Sequence, residues 1–141
     1  MTMPAINHVI LTVSDLARSK EFYRTVLGFD VQDISPEYGS LAYFMVEGGG
    51  SVWLITHDQT PAGDRFSEFR VGLDHLAFSA PDKAFLETLA AKLIAAGVNT
   101  KGVELFHHKW WYMAFRDPDN IQLEYWLNEP TADQDSGETQ E

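Results

Sequence analysis

The chain has 141 residues, no cysteine, 45% hydrophobic and 22% charged residues, and a formal net charge of −11. Length and balance describe one globular domain able to bury a core, and the missing cysteines exclude disulfides, zinc–thiolate sites and thiol nucleophiles. The acidity excludes a basic nucleic-acid face, no apolar run reaches the roughly 20 residues of a membrane span, and Met1-Thr2-Met3-Pro4 lacks the marks of an export signal, so a cytoplasmic protein with a small-molecule partner is expected.

Ile6 to Val13 is apolar-rich and of strand type. Ser14 and Asp15 supply N-cap chemistry for a helix carrying Leu16, Phe22, Tyr23, Val26 and Leu27, and Gly28 stops it. Three shorter strands follow at 29–34, 41–47 and 51–56, with Gly48-Gly49-Gly50 as a turn. Residues 57–72, holding Pro61 and Gly63, read as a linker. The layout then recurs. Leu73 to Ala80 is strand-like, Pro81 and Asp82 open a helix with Phe85, Leu86, Leu89, Leu93 and Ala96 on its face, and Gly97 ends it. Strands near 100–106, 110–115 and 121–126 complete the second half, with Asp117-Pro118-Asp119-Asn120 as a type I turn. His8 and His75 are 67 positions apart, and Gly28 and Gly97 are 69 apart. Strand, helix and stop matched at nearly one offset are an internal repeat.

The predicted architecture is therefore α+β: two βαβββ modules (5–57 and 73–127, joined by the linker) whose mixed sheet curves into a cup with the helices outside. Residues 128–141 hold five acids, no base and no large apolar side chain. They read as a disordered acidic tail, without which the chain carries −6.

Alternation along strands places side chains on faces. Val9, Leu11 and Val13 suit a helix, leaving His8, Ile10 and Thr12 opposite. Leu76, Phe78 and Ala80 leave His75, Ala77 and Ser79; Ile121, Leu123 and Tyr125 leave Gln122, Glu124 and Trp126. Each of His8, His75 and Glu124 thus takes the face turned from the helices. One histidine in a strand is ordinarily a hydrogen-bonded core residue, and Glu124 alone reads as a strand acid. Two histidines at equivalent repeat positions, with a carboxylate in an apolar strand, point instead to a divalent metal such as Fe, Mn, Ni or Zn. On the strand 110–115, either Trp110, Tyr112 and Ala114 or Trp111, Met113 and Phe115 line the cup. His107, His108 and Tyr112 are the candidate acid–base groups. Thr12, Leu54, Trp110, Tyr112 and Trp126 are the candidate pocket residues, and Arg116 reads as structural.

Asn7-His8-Val9, Ser14-Asp15-Leu16-Ala17-Arg18-Ser19, Phe22-Tyr23, Leu27-Gly28-Phe29, Asp74-His75-Leu76-Ala77-Phe78 and Phe115 through Glu124 resemble the vicinal-oxygen-chelate superfamily over residues 5–127. That group includes glyoxalase I, bleomycin-resistance proteins, fosfomycin-resistance transferases, methylmalonyl-CoA epimerase and extradiol dioxygenases. The resemblance implies metal ligands at His8, His75 and Glu124 and a homodimer, with the modules either exchanged between chains or closed within one. In glyoxalase I and the epimerase a fourth ligand stands on the last strand of the first half. Here Leu54 is expected there, or Ile55 in a register slipped by one, and neither binds metal. The implied chemistry is that of the transferase or dioxygenase branches, although residues 106–112 lack the serines of the phosphonate-binding stretch. The alternative is a metal-free protein that sequesters an antibiotic or aromatic metabolite.

Overall fold

The computed structural model describes residues 2–34, 37 and 41–131. The chain divides into two compact units, Met1–Asp64 and Arg65–Glu141. Most of the stretch read as an acidic tail, from 132 on, lies outside the described residues.

The first unit runs β1 (His8–Thr12), α1 (Leu16–Glu21), a π-helical turn (Phe22–Val26), β2 (Gln32–Asp33), β3 (Leu41–Met45) and β4 (Ser51–Ile55). Its sheet has the order β1-β4-β3-β2, with β1 and β4 parallel and the other pairs antiparallel. The second unit repeats this as β5 (Leu76–Ala80), α2 (Lys83–Ala95), β6 (Thr100–Phe106), β7 (Trp110–Arg116) and β8 (Gln122–Leu127), in the order β5-β8-β7-β6. Again the first and last strands are parallel and the others antiparallel. The fold is α+β, two modules each with one mixed four-stranded sheet and one helical layer.

Both helices start where an aspartate can cap them. Asp15 accepts from the Arg18 N–H at 3.0 Å and Asp82 from the Phe85 N–H at 2.8 Å. Both stop at a glycine in the left-handed region, Gly28 at φ +81° and Gly97 at φ +75°. Leu86, Leu89 and Leu93 of α2 are buried above Leu105, Met113, Phe115 and Leu123 of the sheet. Burying each such side chain contributes roughly 1.5–3 kcal/mol. Phe85 and Ala96, expected on that stripe, lie at its exposed edges, and Ala90 takes a buried place instead. In the first unit Leu11, Val13, Tyr23, Phe44 and Leu54 form the core, with Tyr23 and Phe29 both stacked on Phe44. The strand expected over 29–34 pairs only at Gln32–Asp33. The Val31 N–H turns back onto the Phe29 carbonyl at 3.0 Å, which keeps the preceding residues out of the ladder.

Two turns fix register. Gly50 brings β4 against the residues before β1 so closely that a Cβ there would stand 2.9 Å from the Ile6 carbonyl oxygen. At the other hairpin, buried Asp117 accepts from the N–H groups of Asp119 and Ile121, while Asn120 takes φ +70°. The Asn120 N–H reaches the Asp117 carbonyl at 3.0 Å, closing the expected β-turn.

Candidate metal and substrate site

Sheet register decides which side chains meet on the face away from α2. Glu124 lies opposite Ala77 on β5 and Ala114 on β7, and Tyr112 lies opposite Trp126 on one side and Glu104 on the other. Trp111, Met113 and Phe115 are buried in the core, so the open face takes the set Trp110, Tyr112 and Ala114, all half-buried. Tyr112 and Trp126 stack at 4.6 Å, and Phe106 packs edge-on against both.

Glu124 is 6% exposed, too little for water to solvate its charge, so the protein must. Trp126 Nε1 donates to Oε1 at 2.6 Å and Gln122 Nε2 to Oε2 at 2.8 Å, both from residues two positions away on the same face. His75 Nε2 stands 3.4 Å from the same Oε1. The other nitrogen of His75, Nδ1, is 2.6 Å from Asp74 Oδ1. A carboxylate oxygen only accepts, so Nδ1 carries a proton, and Nε2 is the nitrogen turned toward Glu124. Either a proton or a metal cation between Nε2 and the carboxylate makes that approach favourable. Two donors each about 2.1 Å from one ion stand at most about 4.2 Å apart, and 3.4 Å lies inside that limit. The donor set fits a divalent metal.

His8 repeats the device in the first unit. Its Nδ1 is 2.6 Å from Asn7 Oδ1, which again leaves Nε2 as the free ligand atom, and the side chain is exposed. Among the described residues no three His, Cys, Asp or Glu side chains form a group that could hold a metal ion.

The fourth-ligand position falls differently from the sequence expectation. Ile10, two residues after His8, pairs with Trp53, as Ala77, two after His75, pairs with Glu124. The repeat equivalent of Glu124 is therefore Trp53, neither Leu54 nor Ile55. Its indole donates only, to Ser51 Oγ at 2.9 Å, and the ring stacks on Tyr43 at 4.7 Å. Leu54, expected in the pocket, pairs with Leu11 and is fully buried on the core face. Thr12 lies on the His8 face at the exposed end of β1.

His107 and His108 are not strand residues. They are the two central residues of the β6–β7 turn, with φ +48° and +61°, closed by the Lys109 N–H on the Phe106 carbonyl. That is the turn conformation usually given to Asn-Gly. Both are exposed, and the His107 ring lies edge-on to Phe106 at 4.0 Å. Thr131, in the stretch read as tail, docks on the same hairpin: its N–H meets the Lys109 carbonyl and its hydroxyl accepts from Trp111 Nε1.

Beside Glu124 opens a depression of about 310 Å³ whose lining includes Glu104, Tyr112, Ala114, Arg116 and Gln122. Burial first, then the charge and hydrogen bond of Glu104, push the Tyr112 phenol up to about 12. Arg116 is occupied elsewhere, since both its terminal nitrogens reach Glu68, at 3.2 and 2.8 Å. That guanidinium holds the Glu68 carboxyl down at about 2. Asn120 Nδ2 bonds the Phe66 carbonyl, so residues 66–68 are pinned to the turn before β8. Glu104, Gln122, Asn7 and Asp74 were not picked out in the sequence. Asn7 and Asp74 were detectable there, because each directly precedes a repeat-related histidine.

The model of the Glyoxalase/Bleomycin resistance protein/Dioxygenase superfamily matches residues 5–125. A glyoxylase/bleomycin resistance protein/dioxygenase domain from Frankia sp. EAN1pec has a similar structure, with 36% identity and TM-score 0.77 over 89% of this chain and 98% of that one. A glyoxalase family protein from Enterococcus faecalis follows at 30% and 0.65 over 89% and 99%. Metallothiol transferase FosB of Staphylococcus haemolyticus is 36% identical over 80 residues, 57% of this chain and 52% of that protein. The chain thus spans about half the length of the curated relatives it matches. No helix among the described residues is long and apolar enough to cross a membrane. With the repeated βαβββ frame and a family match over nearly its whole described length, the chain belongs to the glyoxalase/bleomycin resistance protein/dioxygenase superfamily.

Proposed function

We propose that the chain is a cytoplasmic, metal-dependent enzyme that binds a small oxygenated substrate at one divalent ion held by His75 and Glu124, with His8 as third ligand. The observation that carries this reading is the 3.4 Å approach of His75 Nε2 to the buried Glu124 carboxylate while Nδ1 is held by Asp74. When bound, the ion supplies a Lewis acid that two vicinal oxygens chelate and that stabilises negative charge developing on them. The chain's own residues do the rest. Asp74 and Asn7 orient the imidazoles, Trp126 and Gln122 hold the carboxylate in one rotamer, and the Tyr112–Trp126 stack walls the site.

Of the superfamily's chemistries, transferase-like or dioxygenase-like reactions fit better than glyoxalase chemistry. Trp53 stands where a fourth ligand would be needed, and similarity to a metallothiol transferase supports the transferase branch. The competing reading is metal-free sequestration, which the Trp126 and Gln122 hydrogen bonds favour because they hold Glu124 without an ion.

Metal analysis of protein purified without chelator decides between them. About one divalent ion per chain is expected, lost in His75→Ala and Glu124→Ala, and stoichiometric metal in both variants rejects the site. Assembly is tested alongside. If the site is completed by module exchange in a homodimer, His8→Ala chains mixed with Glu124→Ala chains recover metal binding that neither parent has.

A further inference from the structure

The depression beside Glu124 contains a carboxylate that the metal-ligand reading does not use. Glu104 lies on the same open face, with Tyr112 as its cross-strand partner and hydrogen-bond donor. It is half-buried, so it is screened less than a surface acid. The two cations that line the depression do not answer it. Arg116 is bound bidentately by Glu68, and Lys101 is exposed to solvent. The ring beside Glu104 in the lining is Tyr112, its cross-strand partner, which is itself stacked on Trp126 at 4.6 Å. A half-buried acid next to stacked rings is complementary to an organic ammonium group, by charge and by attraction to the ring faces. A phosphonate or carboxylate at the same place would meet like charge.

We infer that this depression is a subsite for the cationic, amine-bearing end of an aromatic substrate, with Glu104 as its counter-charge. The inference deepens the metalloenzyme reading, since the oxygen-bearing end of the same substrate would be the part chelated at His75 and Glu124. Geometry permits one molecule to do both. Glu104 and Glu124 are separated by two strand spacings across the sheet and two residues along it, about 12 Å between Cα atoms. An aromatic ring with a two-carbon amine arm covers most of that span.

The test uses two probe pairs, titrated calorimetrically without oxygen. Catechol and dopamine, with the Zn(II)-loaded protein, share a chelating head and differ by the ammonium arm. 4-Ethylphenol and tyramine, with the metal-free protein, differ in the same way and chelate nothing. Dopamine should bind about tenfold tighter than catechol, and tyramine tighter than 4-ethylphenol. Both preferences should fall to within about twofold in Glu104→Gln and survive in Tyr112→Phe, which removes the phenol and leaves the acid. Equal binding within both pairs, or preferences unchanged by Glu104→Gln, overturns the subsite. Catechol binding that ignores Zn(II) counts against the metal site instead, while the tyramine pair still reports on Glu104.

Discussion

The two halves share a frame and differ in what they place on it. In both, a histidine precedes or opens the first strand, its Nδ1 held by the side chain before it, and an aspartate caps the helix. At the position two residues along the neighbouring parallel strand they diverge. The second half puts Glu124 opposite Ala114; the first puts Trp53 opposite Tyr43, stacked ring on ring. One module has kept a small residue beside a carboxylate, which leaves room for a ligand, and the other has filled the same place with aromatic rings. A duplicated scaffold thus supplies two similar imidazoles and one carboxylate, an asymmetry that removes a fourth ligand without disturbing either sheet.

The harshest way to break this comparison is to put the missing acid in the wrong register. Leu54→Glu would bury a charge in the first unit's core, where Leu54 has no exposed surface. The loss should be on the order of 5 kcal/mol, comparable to the whole stability of a marginal domain. Trp53→Glu is placed on the open face and should fold, with a modest drop in melting temperature, and should tighten Mn(II) or Zn(II) binding. A folded Leu54→Glu beside an unfolded Trp53→Glu would show that the register equivalence is wrong.

A finer contrast separates the two histidines. Asp74 holds His75 with a charge, whereas Asn7 holds His8 with a neutral amide. Asp74→Asn should weaken metal binding by about 10–100-fold with little change in melting temperature, because the carboxylate orients the ring and raises its basicity. Asn7→Asp should act in the opposite direction. Equal metal affinity in all three proteins would leave these contacts without a role in ligation.

What was readable from sequence follows the same division. Local signals worked: the caps Asp15 and Asp82, the stops Gly28 and Gly97, and the alternation that put His75 and Glu124 on one face all involve residues close in the chain or fixed by period two. Register between strands did not. Three successive glycines at 48–50 hide how many residues the turn consumes, and that count decides whether residue 53, 54 or 55 faces His8. The gap between strands at 107–109 was legible, but not its left-handed turn type, because His107-His108 lacks the glycine or asparagine that ordinarily announces two left-handed residues. The Glu68–Arg116 pair was invisible, since it joins residues 48 apart.

That pair belongs to the second half alone and gives it a pH dependence. Glu68 titrates at about 2 in the folded protein against an ordinary 4.5, a depressed value caused chiefly by the Arg116 hydrogen bonds. The folded state therefore holds this carboxylate ionised more firmly than the unfolded chain does. Its contribution is complete above pH 4.5 and is lost as pH falls toward 2. The melting-temperature difference between the unmodified protein and Glu68→Gln should be constant from pH 6 to 8 and should shrink steadily below about 4.5. A difference that stays flat down to pH 2.5 would mean the pair does not persist in solution.

The smallest expected effect lies in the helices. Ser19 and Leu86 are equivalent in the repeat, each four residues after its capping aspartate and each with no exposed surface. Leu86 fills its place with hydrocarbon. Ser19 puts a hydroxyl there, and Ser19 Oγ has no hydrogen-bond partner among the described residues. A buried hydroxyl left unpaired costs about 1–3 kcal/mol of desolvation, while an alanine of nearly the same size costs none of it. Ser19→Ala should therefore leave stability unchanged or raise it by up to about 1 kcal/mol, a few degrees in melting temperature for a chain of this size. A clear loss of stability on removing so small a group would require that the hydroxyl finds a partner in solution, such as a buried water, and would make the first half's helix more polar in its support than the second's.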